Sequence, residues 1–304
     1  MGRSPAELPL KPTFFQRRSL KSLAKFARKR PGEPLSEDDW AAYWAFGSQP
    51  TSRALKWMLR ALPSTPRCGF CGAPFGGLGK HVVAPLGYRP SRKNPTICSV
   101  CVELAPPGGM TIEAGVLFVD LRGFTTLTEQ LPPAQATALL QRFYACAEKT
   151  LLPKAIIDKM IGDEVMALYL PPFMIGDRDR WELDEVDRAA IATTMIGHAR
   201  ELLARIGYGT PVGPFAEAGV GLDYGEVYVG NVGQEAVRDF TAIGDVVNTA
   251  SRLQGHAGSG EILISERLAR HLDDPPGRVE ELTVKGKANP VRAYRLCWAD
   301  EFVS

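Results

Sequence analysis

Two aspartates at the ends of apolar stretches are the first residues of this chain that could do chemistry. Asp120 ends "GVLFVDL", and Asp163 lies at a Gly-Asp corner within "KMIGDEVMALYL", whose apolar flanks predict a β-hairpin. Carboxylates at strand ends, beside the backbone N–H groups of the next turn, suit a divalent cation and phosphate. Two carboxylates on neighbouring strands could hold two such ions for displacement at phosphorus. Each alone also fits a helix cap or a salt bridge.

Lys159 precedes Asp163 by four residues in the same segment. A local ion pair is one interpretation, with a value of about 0–1 kcal/mol if the pair is exposed. Separate roles for the two charges are the other interpretation.

A further segment, "FTAIGDVVNTASRLQ" (240–254), predicts a helix that begins near Asp245. Asn248 and Arg252 then lie four residues apart on one face. The planar arginine fork matches phosphate oxygens, and the asparagine amide both donates and accepts. Lys285 and Lys287 flank a glycine in the predicted strand "LTVKGKANPVRAY". Taken singly, these polar residues also fit a solvated surface.

Four of the six cysteines form the pattern C-x2-C-x26-C-x2-C, namely Cys68, Cys71, Cys98 and Cys101. Two such knuckles close a tetrahedral four-thiolate zinc site, and four protein ligands leave no open position, so we expect a structural zinc ion. An iron–sulfur cluster or redox-active thiols without metal are the alternatives. A zinc ribbon of this kind could bind nucleic acid, or it could be a staple within a larger enzyme.

The chain that must position these residues has the composition of an ordinary globular protein, with 45% hydrophobic and 23% charged residues and a net charge of +2. Residues 14–30 predict a basic amphipathic helix, which either packs on its own domain or contacts an anionic membrane surface or an acidic partner. The chain carries no signal peptide pattern and no apolar run of transmembrane length. We therefore expect a cytoplasmic protein that could lie at the inner face of the membrane.

The chain separates into a basic helical region (1–65), a cysteine module (66–104), a linker "APPGG" (105–109) and a larger domain (110–304). Within the larger domain we expect helices at 132–150 and 185–206. Two strands are expected in "FAEAGVGLDY" and "EVYVGNVG", and a closing strand pair near the C-terminus.

The segments "LFVDLRGFT", "DKMIGDEVMA" and "TAIGDVVNTASRL", in this order, resemble the catalytic domain of class III adenylyl/guanylyl cyclases over about residues 110–297. The resemblance implies an α+β fold with a ferredoxin-like βαββαβ core and a mixed or antiparallel sheet. That core would follow the small helical region and the zinc-ribbon-like module.

The resemblance also implies roles for the residues at the strand ends. Asp120 and Asp163 would bind two Mg²⁺ or Mn²⁺ ions, with help from the backbone of Leu121. The backbone at Phe124 and Thr125 would bind the triphosphate.

The remaining family positions concern the sugar, the phosphates and the base. Asn248 would orient the ribose, Arg252 would neutralise charge on the α-phosphate, and Lys285 would meet the terminal phosphates. Lys159 and Thr241 would select the base, and this Lys–Thr combination is that of an adenylyl subgroup, which implies ATP.

A guanylyl cyclase is expected to carry Glu at position 159, whereas pyrimidine cyclases are excluded less firmly. In this family the metal aspartates come from one protomer and the base-selecting pair, Asn and Arg from the other, which implies a head-to-tail homodimer. Two other classes stay open: a zinc-ribbon nucleic-acid-binding protein with a nucleotide-sensing domain, and a membrane-recruited scaffold. Nucleic acid is the less favoured partner.

Overall fold

The computed structural model describes residues 36–40, 58–62, 65–91, 94–103, 107–175, 182–234, 237–284, 286–287 and 289–300. The basic segment 14–30 and Lys285 lie outside the described residues, so their expected roles stay predictions. Among the described residues, no helix is both long and apolar enough to cross a bilayer. The chain divides into two compact units: one includes the described residues up to Gly109 with Asn231–Asp239, the other Met110–Gly230 with the residues from Phe240 onward.

The first unit is built around short elements rather than a sheet. Helix α1 (Gly77–Val83) continues into a 3-10 turn, Ala84–Leu86, and isolated bridges pair Arg67 with Pro74 and Pro90 with Cys98. Trp40 is fully buried here, and its indole N–H lies 3.5 Å from the carbonyl oxygen of Pro107.

The second unit alternates strands and helices. Its elements, in chain order, are β1 (Gly108–Leu121), α2 (Phe124–Gln130), α3 (Pro133–Leu151), β2 (Ile156–Ile161), β3 (Glu164–Tyr169), α4 (Pro171–Met174), α5 (Glu185–Ile206), β4 (Ala218–Gln234), β5 (Val237–Ile243), α6 (Asp245–His256), β6 (Glu261–Ser265), α7 (Glu266–Ala269), β7 (Arg278–Leu282) and β8 (Val291–Cys297).

The eight strands form one sheet in the order β2-β3-β1-β4-β6-β8-β7, with β5 paired to β4. The segment β1-α3-β2-β3-α5-β4 is a βαββαβ unit, in which β3 pairs antiparallel with both β1 and β2. Strand β4 pairs parallel with β6, so the sheet is mixed. The expected α+β fold with a ferredoxin-like core is confirmed.

The main core lies where α3 and α5 cover one face of this sheet. Strands β1 and β3 contribute alternate residues to it, and the inward side chains are Leu117, Val119, Leu121, Val165, Ala167 and Tyr169. Because side chains alternate between the faces of a strand, Asp120 points to the face opposite this core. Burial of the apolar side chains therefore fixes the orientation of the carboxylate.

Local signals set the ends of the two covering helices. Helix α5 begins with a capping box between Asp184 and Asp187 and ends at Gly207, whose φ of +118° suits a residue without a Cβ. The predicted helices at 132–150 and 185–206 are confirmed as α3 and α5.

One part of the strand prediction is wrong. The two strands expected in "FAEAGVGLDY" and "EVYVGNVG" are a single strand, β4, and β5 follows it as a hairpin partner. The Tyr-Gly pair at 224–225 looks like a turn signal, but Gly225 takes a φ of +151° and the strand continues through it.

Candidate functional site

The two predicted metal aspartates lie at the same end of the sheet. Asp120 is opposite Glu164 in the β1–β3 register, and the Leu121 N–H donates to the carbonyl oxygen of Asp163 at 3.2 Å. The hairpin predicted from "KMIGDEVMALYL" is confirmed as β2, a turn at Gly162–Asp163, and β3. Gly162 has a φ of +60°, which the tight turn requires.

The electrostatics of Asp120 indicate a place for a cation. Burial raises the pKa of Asp120 to about 6, and the adjacent negative charge of Asp163 contributes to the rise. Arg122, 3.6 Å away, and the Gln254 side chain lower this pKa in part. Two carboxylates that repel each other are stabilised by a hard divalent cation with oxygen ligands. The residues present thus fit Mg²⁺ or Mn²⁺.

Two residues with no assigned role in the sequence hold this corner in place. The Arg122 backbone N–H donates to Glu217 at 2.8 Å, and its guanidinium donates to the carbonyl of Gln254 on α6. The Tyr144 hydroxyl, on α3, donates to the carbonyl of Gly162 in the turn. Arg122 lies within "LFVDLRGFT", whereas nothing in the sequence near Tyr144 points to the turn.

Phe124 and Thr125 open helix α2 directly after the metal corner. Gly123 precedes them with a φ of +67°, Phe124 is buried, and Thr125 is exposed. The first N–H groups of a helix have no acceptor within the helix, so this backbone offers donors to an anion. The expected role of Phe124 and Thr125 in binding the triphosphate stays a prediction.

Thr241, which is expected to select the base together with Lys159, contacts the residue next to Lys159 in the chain. Lys159 lies on β2 and Thr241 on β5. The Thr241 hydroxyl donates to the carboxylate of Asp158, the residue before Lys159, at 2.7 Å, and both partners are buried. The structure therefore brings together two positions that are far apart in the sequence.

Helix α6 carries Asn248 and Arg252, as predicted, with Asn248 exposed and Arg252 half-buried. A Cβ placed on Gly286 would lie 3.1 Å from an Arg252 guanidinium nitrogen, and Gly286 has a φ of +78°. The Gly286 backbone therefore lies close to Arg252, whereas Lys285 lies outside the described residues.

A charged network anchors the start of α6. Asp245, the first residue of α6, bonds to Arg267 at 2.9 Å and to Lys287. Arg267 also pairs with Asp223, which is fully buried on β4 and bonds to the Ser265 hydroxyl. Sequence reasoning missed this network because each member looks locally like an ordinary surface charge.

The four cysteines form a compact group in the first unit. All four are buried, their sulfur atoms lie within 4.8 Å of one another, and two pairs are 3.7 and 4.0 Å apart. A tetrahedron with metal–sulfur bonds of about 2.3 Å has sulfur–sulfur edges of about 3.8 Å. The spacing thus fits a single tetrahedral ion and is far too long for disulfides.

Burial and mutual contact distort the ionisation of these thiols. Burial opposes ionisation of Cys68, but the thiols of Cys101, Cys71 and Cys98 hold its pKa well below the usual range. Burial and the other three thiols raise the pKa of Cys98 well above the usual range. Several thiolates can therefore coexist here only beside a cation. The Cys98 N–H also donates to the Cys68 sulfur at 3.3 Å.

Two side chains donate hydrogen bonds to backbone carbonyls around the cysteine group, within the first unit. The Arg67 guanidinium donates to the carbonyls of Leu59 at 2.9 Å and Gly72 at 3.0 Å. The Asn231 amide, near the tip of the β4–β5 hairpin, donates to the carbonyl of Val102 at 2.8 Å, and both residues are buried. Val102 directly follows the last cysteine of the group.

Comparison with known proteins agrees with this geometry. The solved adenylyl cyclase CyaB from P. aeruginosa is similar to this chain with a TM-score of 0.50 and 30% identity, over 61% of this chain and 94% of that one. The guanylyl cyclase Cya2 is similar with a TM-score of 0.50 and 26% identity, over 62% and 93%. An adenylate cyclase of Anabaena cylindrica is 32% identical over 213 residues, which is 64% of this chain and 40% of that protein.

The chain spans two fifths or less of the length of the first curated relatives that it matches. The family model described as the adenylate and guanylate cyclase catalytic domain matches residues 110–297. This chain therefore belongs, through those residues, to the adenylate and guanylate cyclase catalytic domain family.

Proposed function

We propose that the chain is an adenylate cyclase, which converts ATP to 3′,5′-cyclic AMP and pyrophosphate. The carboxylate pair of Asp120 and Asp163, at one sheet end in a chain of the cyclase family, carries the proposal. Of the similar proteins, the Anabaena protein and CyaB are named adenylate or adenylyl cyclases, whereas Cya2 is named a guanylyl cyclase. The Lys159–Thr241 pair is our reason for choosing ATP.

In the reaction, the ribose 3′-oxygen forms a bond to the α-phosphorus, and the bond from that phosphorus to the bridging oxygen of pyrophosphate breaks. Asp120, Asp163 and the Leu121 carbonyl would hold two Mg²⁺ or Mn²⁺ ions. When bound, the ions favour the deprotonated 3′-hydroxyl and neutralise the triphosphate.

The chain's own groups would bind and orient the substrate. The first N–H groups of α2, at Phe124 and Thr125, would donate to phosphate oxygens. Asn248 would hydrogen-bond the ribose, and the Arg252 fork would stabilise the charge that develops at the α-phosphate. Lys285 would pair with the terminal phosphates.

We further propose that each active site is shared between two copies of this chain. One copy would supply Asp120 and Asp163, and the other Lys159, Thr241, Asn248 and Arg252. Lys159 and Asp163, four residues apart on one hairpin, would then serve different sites of a head-to-tail homodimer.

The cysteine group is proposed to hold one structural zinc ion. All sulfur atoms lie within 4.8 Å of one another, and two pairs are 3.7 and 4.0 Å apart. This spacing supports a single ion rather than a four-iron cluster, in which each thiolate binds a different iron. We also propose that this module controls the enzyme through the β4–β5 hairpin. Its buried Asn231 bonds beside the last cysteine, and its strand β5 continues to Thr241 and α6.

Turnover tests the proposal directly. The full chain is incubated with ATP, GTP, CTP or UTP and with Mg²⁺ or Mn²⁺, and cyclic nucleotide and pyrophosphate are measured. We expect cyclic AMP as the main product, lost in Asp163→Ala and retained in the exposed control Glu129→Ala. Nucleotide binding without product, together with a salt-dependent shift of nucleic acid, would instead support the nucleic-acid-binding alternative.

Mixing tests the shared site. Asp120→Ala and Arg252→Ala, each inactive alone, should recover activity together because one of the two sites in a mixed dimer is intact. Failure to recover, with mixed dimers demonstrated by differently tagged copies, would contradict the shared site and leave the cyclase activity standing.

A further inference from the structure

The contact between Asp158 and Thr241 determines how the Thr241 hydroxyl can hydrogen-bond to a base. The Thr241 side-chain oxygen lies 2.7 Å from a carboxylate oxygen of Asp158, and the two residues are 1% and 5% exposed. The other neighbour of this hydroxyl, the Ala242 carbonyl oxygen at 3.5 Å, is also an acceptor. A hydroxyl has one proton to donate. That proton is therefore directed at the protein, whichever of the two neighbours receives it.

The backbone places Asp158 for this contact through an irregularity in β2. Ile157 is opposite Ala167 and Lys159 is opposite Met166, so the register shifts at Asp158, which is the additional residue of a bulge. Such a bulge changes the direction of a side chain relative to a regular strand. In a regular strand, Asp158 and Lys159 would point to opposite faces, whereas the bulge allows both to serve one site.

We infer that Asp158 is a positioning residue that fixes Thr241 as a hydrogen-bond acceptor, so that the base site takes a purine with a 6-amino group and rejects one with a 6-oxo group. The inference rests on the proposed function in one respect, namely that Thr241 faces the base. A lone pair on Thr241 complements the 6-amino group of adenine. It opposes the 6-oxo group of guanine, which would leave two acceptors facing each other and both without a donor.

The expected discrimination follows from this mismatch. A site built to hydrogen-bond a substrate group rejects a substrate that leaves its polar atoms unpaired, and here we expect at least about 100-fold in kcat/KM for ATP over GTP. If the Thr241 hydroxyl no longer donates to Asp158, the ATP:GTP ratio of kcat/KM should fall, because the hydroxyl could then turn and donate to the 6-oxo group of guanine.

The test compares Asp158→Asn, Thr241→Val, their double variant and Thr241→Ser in the full chain with Mn²⁺. The Asn side chain can present an N–H donor to the hydroxyl, so Asp158→Asn should lower the ATP:GTP ratio of kcat/KM at least tenfold. Thr241→Val should lower it similarly, and adding Asp158→Asn to Thr241→Val should cause no further change in the ratio. Thr241→Ser keeps the hydroxyl and should keep the ratio.

A merely structural role for Asp158 predicts a different result: ATP and GTP turnover would fall by the same factor and the ratio would stay constant. That result, or an equal effect of Asp158→Asn in the Thr241→Val background, overturns the inference. Preference of the unaltered chain for GTP also overturns it, while the cyclase activity stands.

A binding measurement separates this inference from the proposed function. ATP and GTP compete with a fluorescent ATP analogue for the unaltered chain and for Asp158→Asn. If no triphosphate is cyclised but ATP binds better than GTP and Asp158→Asn reduces that preference, the proposed function fails and the inference holds. If no triphosphate is cyclised and neither base is preferred in binding, both fail.

Discussion

The cysteine group of the first unit and the carboxylate pair of the second both collect negative charge, but they do so in opposite ways. The four cysteines are buried, and their sulfur spacing matches a closed tetrahedron. The side chain of Asp120 is 26% exposed, and it shares its corner with Asp163 and lies opposite Glu164. Four protein ligands complete the coordination of an ion, whereas two leave positions for substrate oxygens.

The cysteine group and the carboxylate pair should respond differently to loss of a bound ion. Removal of the proposed zinc ion from the cysteine group would leave buried thiolates without compensation, so this ion would be part of the folding free energy. At the carboxylate pair, solvent reaches the acids, and the raised pKa of Asp120 lets it take a proton instead. We therefore expect the first centre to govern stability and the second to govern turnover.

The largest expected effect is on turnover at the carboxylate pair. Asp120→Asn should reduce cyclic AMP formation at least about 1000-fold, because the remaining acid cannot hold both ions. The same variant should leave the free energy of unfolding equal to or above that of the unaltered chain, since one of two repelling charges is gone. Product assay and urea unfolding measure the two quantities. A loss of several kcal/mol in stability would mean that the pair is structural after all.

The next largest effect is on the stability of the first unit. Cys98→Ser should remove the zinc ion and lower the free energy of unfolding by several kcal/mol, because structural zinc contributes directly to folding. Elemental analysis should give about one zinc per chain before the change and almost none after it. Cys297→Ser is the matched control, as Cys297 is exposed and lies outside the cysteine group. Unchanged stability and metal content in Cys98→Ser would favour redox-active thiols.

Asp223 is a third negatively charged group, and its charge is balanced by Arg267 instead of a metal ion. Arg267→Met leaves the fully buried Asp223 without its guanidinium and should cost about 3 kcal/mol of stability. It also removes one of the two cations that bond to Asp245 at the start of α6, so kcat should fall about tenfold through misplacement of Asn248 and Arg252. Chemical unfolding and steady-state kinetics measure these changes. Restored stability in Asp223→Leu combined with Arg267→Met would confirm the cause.

The pH dependence of that variant has a definite sign. Burial raises the pKa of Asp223 even beside Arg267, and loss of the arginine raises it further. A folded state with a raised pKa binds more protons than the unfolded state, so stability is present at low pH and is lost as pH rises. The free energy of unfolding of Arg267→Met should therefore fall as pH rises above about pH 4, with a steeper slope than in the unaltered chain. A flat or rising profile contradicts this assignment.

The smallest expected effect belongs to an exposed ion pair on α5. Arg205 bonds to Glu201 at 2.7 Å, and both side chains are more than two fifths exposed. Arg205→Ala should change the free energy of unfolding by no more than about 0.5 kcal/mol, with zinc content and turnover unaltered. A larger change would show that exposed charges matter here as much as the buried groups.

The local features of both centres could be predicted from the sequence, whereas contacts between side chains far apart in the chain could not. The Gly162–Asp163 turn followed from apolar flanks around a Gly-Asp corner, and the cysteine group followed from its spacing, because both are encoded within a few residues. The contacts of Asp158 with Thr241 and of Asn231 with Val102 join residues 83 and 129 positions apart. Thr241 was predicted only through the family resemblance, and nothing local links any of these residues to its partner, so only the folded chain reveals the two contacts.

The most direct test of the account measures metals and product in the same samples. Full-length chain and Asp163→Ala are stripped with a chelator that removes Mg²⁺ and Mn²⁺, assayed with ATP before and after Mn²⁺ is restored, and analysed for zinc. The account predicts that cyclic AMP formation disappears and returns with Mn²⁺ in the unaltered chain and stays absent in Asp163→Ala. Zinc should remain near one per chain in both. Equal cyclic AMP formation by the two proteins, or none from the unaltered chain with zinc bound and Mn²⁺ present, would contradict it.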